Sequence, residues 1–422
     1  MKKSQIIKCL KAHSSKISAY EVKIHHKDSR ELFYVLDHLE INRAVKTETD
    51  VITVYISEGD TTGSSTISVT AADNEKSLNR KIKQAISQAR AARNKFYPLQ
   101  AKDENIKAEK PKILDLNQIA CKAAEAVMAA DTYKDGWINS TEIFVSRFDD
   151  EFINSNGVHH HSESFRIEIE CIPTWSNNGE EFELYKFYES NKIDYKQITN
   201  EIAEILQSAR DRAEARTLKE VELPDDLMVM IKGEMLEGIV FGLANELNYR
   251  SLYMKENHYD KGDRISDTGF DLTMKGQISG CARSREYDGH GTVLGRCKII
   301  DDGVAKNNYG DIRFGFYLAE EKITGDLPLC EVKADGIEVK RRPHLIIDSF
   351  SSPQYESDSG YWGGEVRLAR YYDGKKYIPL TGFSIAGTIY DDIRSVKFSR
   401  EQVTTPAYKG PEYMIFTGLK IN

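Results

Sequence analysis

The stretch Phe165-Arg-Ile-Glu-Ile-Glu-Cys171 decides how the first half of this chain is read. Phe165, Ile167, Ile169 and Cys171 alternate with Arg166, Glu168 and Glu170, the signature of a strand with one covered face and one wet face. Around it, residues 138–171 read as β-structure and 182–188 as a further strand. Asp194 and Gln197 then form a capping box for a helix carrying Ile198, Ile202, Ile205, Ala209 and Ala213 at helical spacing.

Towards the N-terminus, extended runs are predicted at 17–25, 31–36, 51–57 and 66–69. A short helix at 4–12 has Ser4 as its cap. A second helix, capped by Asp73, places Leu78, Ile82, Ala85, Ile86 and Ala89 on one face. A third, capped by Asp115, turns Leu116, Ile119, Ala120, Ala123 and Val127 inward. Between the last two runs a polar, exposed connector at about 98–114.

The charged segment 219–226, which contains Pro224, divides the chain into an N-terminal α+β domain (1–218) and a β-rich C-terminal domain (219–422). The N-terminal domain is expected to be helices on an antiparallel sheet, and the C-terminal one a curved sheet or barrel. Its one amphipathic helix carries Leu236, Ile239, Val240, Leu243 and Leu247. Asp302-Gly303 and Asp373-Gly374 are hairpin signals between apolar runs, and frequent glycine from Gly276 onward suits bulged sheets.

Composition narrows the function. The 422 residues carry 58 Lys+Arg against 66 Asp+Glu, so the net charge is 58 − 66 = −8, the wrong sign for tracking nucleic-acid phosphates. No apolar run approaches the ~18 residues that cross a bilayer. The start, MKKSQIIKCLKA, lacks the apolar segment of a secretory signal, so a soluble cytoplasmic protein is expected. Six cysteines stand singly at 9, 121, 171, 281, 297 and 330, a spacing expected of buried, inert thiols.

Several passages carry a family resemblance. Arg285-Glu-Tyr-Asp-Gly-His-Gly-Thr-Val, then Lys298-Ile-Ile-Asp-Asp-Gly-Val, resembles the acidic-glycine turn and hairpin of the TldD/PmbA family, whose members are often labelled modulators of DNA gyrase. Gly364-Glu-Val-Arg-Leu-Ala and the run from Tyr372 through Pro379-Leu-Thr-Gly-Phe-Ser-Ile-Ala-Gly387 resemble its closing hairpin and signature. Asn154-Ser-Asn-Gly and the last strand, from Pro411, match further family features.

The resemblance implies a two-subunit system. The TldD kind is a zinc metallopeptidase with a His-Glu-x-x-x-His helix and a distant C-terminal Cys ligand. The PmbA (TldE) kind lacks those ligands and completes a channel for unfolded peptides. A zinc hydrolase needs about three protein ligands and a carboxylate to take the proton of bound water. In the corresponding helix, Lys232-Gly-Glu-Met-Leu-Glu-Gly-Ile-Val, Glu234 matches the family's glutamate, but Gly233 and Gly238 stand at the histidine positions. None of the ten histidines is followed by Glu, and the last cysteine is Cys330. The expectation is therefore a PmbA/TldE-type chain without catalytic residues or a cofactor of its own. Its partner would be a zinc-bearing TldD-type subunit, or a second copy in a homodimer, and its substrate an unfolded peptide.

Other candidates are weighed against bland alternatives. His159, His161 and Glu163, at period two on a strand, offer a relocated metal site, and a stand-alone metal-dependent hydrolase is the rival reading. The alternative is a solvated polar loop. Asp288 and His290, in a turn between glycines, and Trp362 and Glu365, in the Gly360-Tyr-Trp-Gly-Gly-Glu loop, are candidate peptide contacts. For His290 the plain alternative is a residue tolerated in a tight turn, and for Trp362 a place in a core. Glu234 alone reads as a carboxylate at a helix N-terminus. Gly276 and Gly280 lack the setting of a phosphate loop. A peptide-binding scaffold without peptidase activity is the third reading.

Overall fold

Eight strands, all from before residue 191, form one antiparallel sheet. They are β1 (Ala19–Val35), β2 (His38–Glu58), β3 (Thr61–Val69), β4 (Asn94–Lys95), β5 (Gly136–Asn154), β6 (His159–Asn177), β7 (Glu180–Glu183) and β8 (Lys186–Ser190). Their order is β4-β3-β2-β1-β5-β6-β7, with β8 also on β6. This computed structural model describes residues 3–103, 105–108, 114–224, 226–339, 342–356 and 359–421.

The strands are longer than their sequence announces. The runs expected at 17–25 and 31–36 are one strand, β1, paired along its length with β2 (Ala19↔Tyr55 to Val35↔His38) and with β5 (Glu21↔Asn154 to Val35↔Ser140). The run at 51–57 is the end of a 21-residue strand. His159–His161 is not a loop but the start of β6.

Because side chains alternate at period two, this pairing sorts the sheet into two faces. Val22, Ile24, Leu32, Ile143, Val145, Ile167 and Ile169 share one face, and all the helices of this half pack there. Helices α1 (Lys3–Ala12) and α2 (Glu75–Ala91) cover Val22, Ile24, Ile52 and Val54. Helices α3 (Leu116–Met128) and α4 (Tyr195–Ala213) cover Leu32, Ile143, Ile167 and Ile169. Burying each such aliphatic side chain contributes roughly 1.5–3 kcal/mol.

The helix caps differ in detail from expectation. Asn74, not Asp73, caps α2, in a box with Ser77, while Asp73 takes the Lys81 ammonium at 2.6 Å. Asp115 and Asp194 cap α3 and α4, accepting from the backbone N–H groups of Gln118 and Gln197. The Gln197 amide turns to Glu201 instead of closing the expected box. Ser4 lies inside α1 and does not cap it. Of the expected connector, residues 104 and 109–113 lie outside the described residues. The rest is irregular but held to the sheet: Asn154 donates to Gln100 O (2.8 Å), and the His161 N–H to Ile106 O (3.0 Å).

Among the described residues, strands from residue 216 onward form two further sheets, of ten and six strands, and neither closes into the expected barrel. Helix α5 (Gly233–Glu246) shares one core with both: Leu236, Ile239, Val240 and Leu243 cluster with Leu345, Trp362 and Ile385 of one sheet and Phe270, Leu272 and Val332 of the other. Asp302 and Gly303 form the expected two-residue turn, with φ of 49° and 74°. Asp373-Gly374 instead opens a four-residue loop between Tyr372 and Tyr377. Cys9, Cys171, Cys281 and Cys330 are buried, and burial pushes the Cys171 thiol up to about 12 and Cys281 to about 11. Among the described residues, no helix is long and apolar enough to cross a membrane.

Charge joins the two halves. The buried carboxylate of Glu189 on β8 receives Arg283 Nε at 3.0 Å from the six-stranded side and faces Arg166 Nε of β6 at 3.3 Å. Arg370 likewise reaches Asp211 (2.8 Å) and Ser208 (3.1 Å) on α4. Removing the carboxylate leaves Arg283 without its ion-pair partner and Arg166 with only the longer contact to Glu168 (3.7 Å). Glu189→Ala is expected to lower the unfolding free energy by about 1–3 kcal/mol, less than for a fully buried pair because the arginines are partly wet. Urea denaturation checks this, and an unchanged midpoint would refute the linking role.

Candidate functional site

Helix α5 stands where the resemblance places a zinc-binding helix. Gly233 is its first residue, at φ +62°, and Glu234, in its first turn, is exposed. Gly238 and Gly242 lie one turn apart on one side of the helix, and Tyr355 fills the space they leave. A Cβ on Gly242 would sit 1.9 Å from the Tyr355 ring, and one on Gly238 would touch the Tyr355 Cβ at 3.9 Å. Zinc does not fit this helix. Two of the three ligand positions carry no side chain, and a tyrosine ring packs against the same stretch of backbone.

The far end of α5 holds a second polar group. Glu246 is buried although it lies at the helix C-terminus, the end a carboxylate disfavours. It is compensated by the His258 N–H (2.5 Å) and the Tyr390 hydroxyl (2.9 Å). The Tyr355 hydroxyl is buried with no hydrogen-bond partner among the described residues. Burial raises its pKa, and the nearby Glu246 adds to the shift.

Asp288 and His290 share one tight turn pressed against the first sheet. The Asp288 carboxylate accepts from the backbone N–H groups of His290 (2.8 Å), Thr292 (2.9 Å) and Asp326 (3.1 Å). Gly291, at φ +78°, lies where a Cβ would meet the Phe152 ring at 2.3 Å, so glycine is required there. Asp288 therefore shapes the turn, and its carboxylate is committed to backbone.

His290 projects to the buried Glu21, with Nδ1 3.6 Å from Oε1, an ion pair and not a hydrogen bond. Glu21 also accepts from the Tyr55 hydroxyl (2.8 Å). The Glu21 carboxylate holds the His290 imidazole above its usual range, against burial, and Asp288 and Asp311 add to the rise. His160 is the opposite case. Its Nδ1 accepts from the Ile106 N–H (3.0 Å), so Nε2 carries the proton and donates to Gly291 O (3.0 Å), while burial holds the imidazole low and neutral.

The expected metal set is assembled differently. On the helix-bearing face of β5 and β6, three diagonal pairs form a ladder: Arg147–Glu163 (2.7 Å), Asp149–His161 (3.2 Å) and Glu151–His159 (2.7 Å). Lys3 joins Glu151 at 2.5 Å. Among the described residues one His/Cys/acid trio brings its ligand atoms within 4.8 Å of one another: Asp149, His161 and Glu163. His159 belongs to a different pair, and the Arg147 guanidinium already holds Glu163.

Trp362 and Glu365 lie on another strand (Tyr361–Tyr372) of the ten-stranded sheet. The Trp362 ring is fully buried, stacked on Phe416 with Nε1 donating to Asp392 (2.9 Å), so it is a core residue and not a peptide contact of this chain. Glu365 is exposed on the opposite side of the strand. The four candidate peptide contacts thus do not converge. Sequence reasoning missed the aromatic and cationic face of the first sheet opposite its helices. There Arg43 lies over Phe33 (5.0 Å), Arg166 over Phe148 (5.5 Å), and His25 stacks on Phe148 (5.7 Å). It also missed Tyr355, although two glycines four apart on α5 signal a close approach.

Gly242→Ala is expected to cost about 1–3 kcal/mol of stability through overpacking, and Tyr355→Ala in the same chain to remove most of that added cost. Thermal denaturation of the single and double variants reads this, and equal costs of Gly242→Ala in both backgrounds would refute the contact. The raised pKa of His290 contributes stability that is fully present below the unfolded value of about 6.5 and lost as pH rises through the folded one. The stability gap between the wild type and His290→Asn is therefore expected to widen from about pH 8 to about pH 6. A gap independent of pH would show that His290 gains nothing from Glu21.

No protein-family model and no curated protein matches the chain. Solved structures do. TldE from Thermococcus kodakarensis is similar at 13% identity with a TM-score of 0.81, covering 99% of each chain. A proposed modulator of DNA gyrase from Thermotoga maritima is similar at 9% identity and a TM-score of 0.80, covering 100% of both. Another, from Bacteroides thetaiotaomicron, is similar at 15% identity and a TM-score of 0.80, covering 100% of this chain and 98% of that one. Over its whole length the chain carries the fold of TldE and of these gyrase modulators, in agreement with the TldD/PmbA resemblance of its sequence.

Proposed function

We propose that this chain is a non-catalytic, peptide-binding subunit of a TldD/TldE-type zinc metallopeptidase complex that degrades or matures unfolded peptides. The observation that carries this reading is α5, where Gly233 and Gly238 offer no ligand and the Tyr355 ring packs against Gly242. Glu234 remains without a metal-bound water to deprotonate. Hydrolysis would fall to zinc held by a partner subunit, and this chain would contribute recognition. The face bearing the half-buried Phe33, Phe144, Phe148 and Arg166 and the exposed Arg43 supports that role, since aromatic residues and arginine are the types enriched where proteins bind partners.

The Asp149, His161 and Glu163 cluster favours the second reading, a stand-alone metal-dependent hydrolase with a relocated site. Elemental analysis of tag-free protein purified alone separates the two. The proposal expects zinc well below one per chain and no cleavage of an unfolded peptide until a TldD-type subunit is added. Zinc near one per chain, retained through dialysis and lost in His161→Ala, would overturn it in favour of the relocated site.

A further inference from the structure

Charge is spread unevenly over this chain. Residues 3–16, α1 and the turn after it, carry four lysines and no acid, and residues 75–95, α2 and its flank, carry seven Lys or Arg against Glu75 alone. Eleven cations against one acid give these two segments a charge of +10 (11 − 1) in a chain of −8. They also lie together. α1 and α2 share one layer on the same face of the first sheet, joined by Asn79 Nδ2 to Cys9 Sγ (3.6 Å) and by the His13 ring to Asn79 Oδ1 (3.0 Å). Ile6 and Leu10 of α1 and Leu78, Ile82 and Ala89 of α2 face the core, so the cations stand on the outer side of the layer.

Lys8, Lys11, Lys76, Arg80, Lys83 and Arg90 are exposed there, and among the described residues only Lys8 has an ion-pair partner, Glu75 at 3.6 Å. The bordering acids are already taken, Asp73 by Lys81 (2.6 Å) and Glu58 by Arg93 (3.1 Å). Lys76, Arg80 and Lys83 follow one another at spacings of four and three residues, like-charge neighbours that cost the helix stability until a polyanion faces them. A helix rises ~1.5 Å per residue, so Lys76 to Arg90 spans roughly 21 Å, more than the ~12 Å width of the major groove of DNA. Cations at the two ends of α2 thus reach phosphates of opposite strands, with Gln84 and Ser87 between them. The surface lacks what other phosphate-bearing partners require. None of its exposed residues is aromatic or a large aliphatic, whereas single strands stack on aromatic rings and a helix lying on a bilayer buries an apolar face. Its exposed uncharged residues include Gln5, Gln84, Ser87 and Gln88, types that accompany Lys and Arg at DNA phosphates. Charges beyond ~8 Å are largely screened at physiological salt, so the acidic remainder of the chain does not cancel this layer.

We propose that the outer side of the α1–α2 layer binds the phosphate backbone of duplex DNA, without regard to base sequence. The inference is independent of the peptidase reading, which uses α5 and the opposite face of the sheet. Fluorescence anisotropy of a labelled DNA duplex of mixed sequence, titrated with the tag-free full chain, tests it, with circular dichroism to show that each variant is folded. Binding is expected at low salt, with log K falling against log salt by about 0.9 for each phosphate neutralised. The double variant Arg80→Glu, Lys83→Glu is expected to weaken binding by about tenfold or more and to flatten that slope by about 1.8. Lys134→Glu, Lys375→Glu makes the same change of net charge at two exposed lysines outside the layer, and is expected to leave binding unchanged. No binding of the duplex at low salt, or equal weakening by the two double variants, would overturn the proposal. Tighter binding to a single strand of the same length, or to vesicles of anionic phospholipid, would overturn it as well.

Discussion

The unbroken antiparallel pairing of β1 with β2 on one side and β5 on the other is the constraint on which the rest of the structure depends. A slip of one residue in either ladder would move Val22, Ile24 and Leu32 away from the helices and turn Glu21 into the core. With the register as it is, four helices seal one face, and the other keeps Glu21, Phe148 and His160 for the second half of the chain and for solvent. The histidine ladder and the aromatic, cationic face lie on the two faces of this sheet, and the turn of His290 is pressed against it.

The two halves are coupled by polar contacts of unlike kinds. The turn around His290 inserts by shape, with Gly291 against Phe152, and by the pairing of His290 with Glu21. Glu189 clamps two arginines from opposite sides of the junction. His160 adds a neutral, doubly bonded imidazole. Charge and hydrogen bonds of this sort set geometry more strictly than apolar contact does. The glycines of α5, by contrast, serve an aromatic ring, and that exchange of ligand side chains for packing separates the helix from a metal-binding one.

Much of this architecture was legible wherever burial imposes a pattern. The strand at 165–171 and the helices around Ile82, Ala123 and Ile202 were visible because one face of each is dry. The outer parts of β1 and β2 were not. His38–Glu48 is wet on both sides, so no alternation marks it, and the polar step at Lys27-Asp28-Ser29 made one strand look like two. The same blindness hid the start of β6 behind three histidines. Asn74 displaced Asp73 as a cap because Lys81 claims the aspartate, a choice made by a residue two turns away. For the site, the lost zinc ligands were legible residue by residue. The ladder partners of His159 and His161 depend on register across two strands, and the burial of Trp362 on contacts with Phe416 and Asp392.

The central pairing also dictates an order of events. Glu21 finds its neighbour at Asn154, so β1 waits for more than a hundred residues of chain before its second edge is closed. During synthesis only the hairpin of β1 with β2 and the helices behind it can form early, while the β5 side of β1 stands open. Within that interval the nascent chain exposes a ready-made template for mispairing. Until residue 154 has emerged, the edge of β1 that β5 will cover stays open to wrong partners.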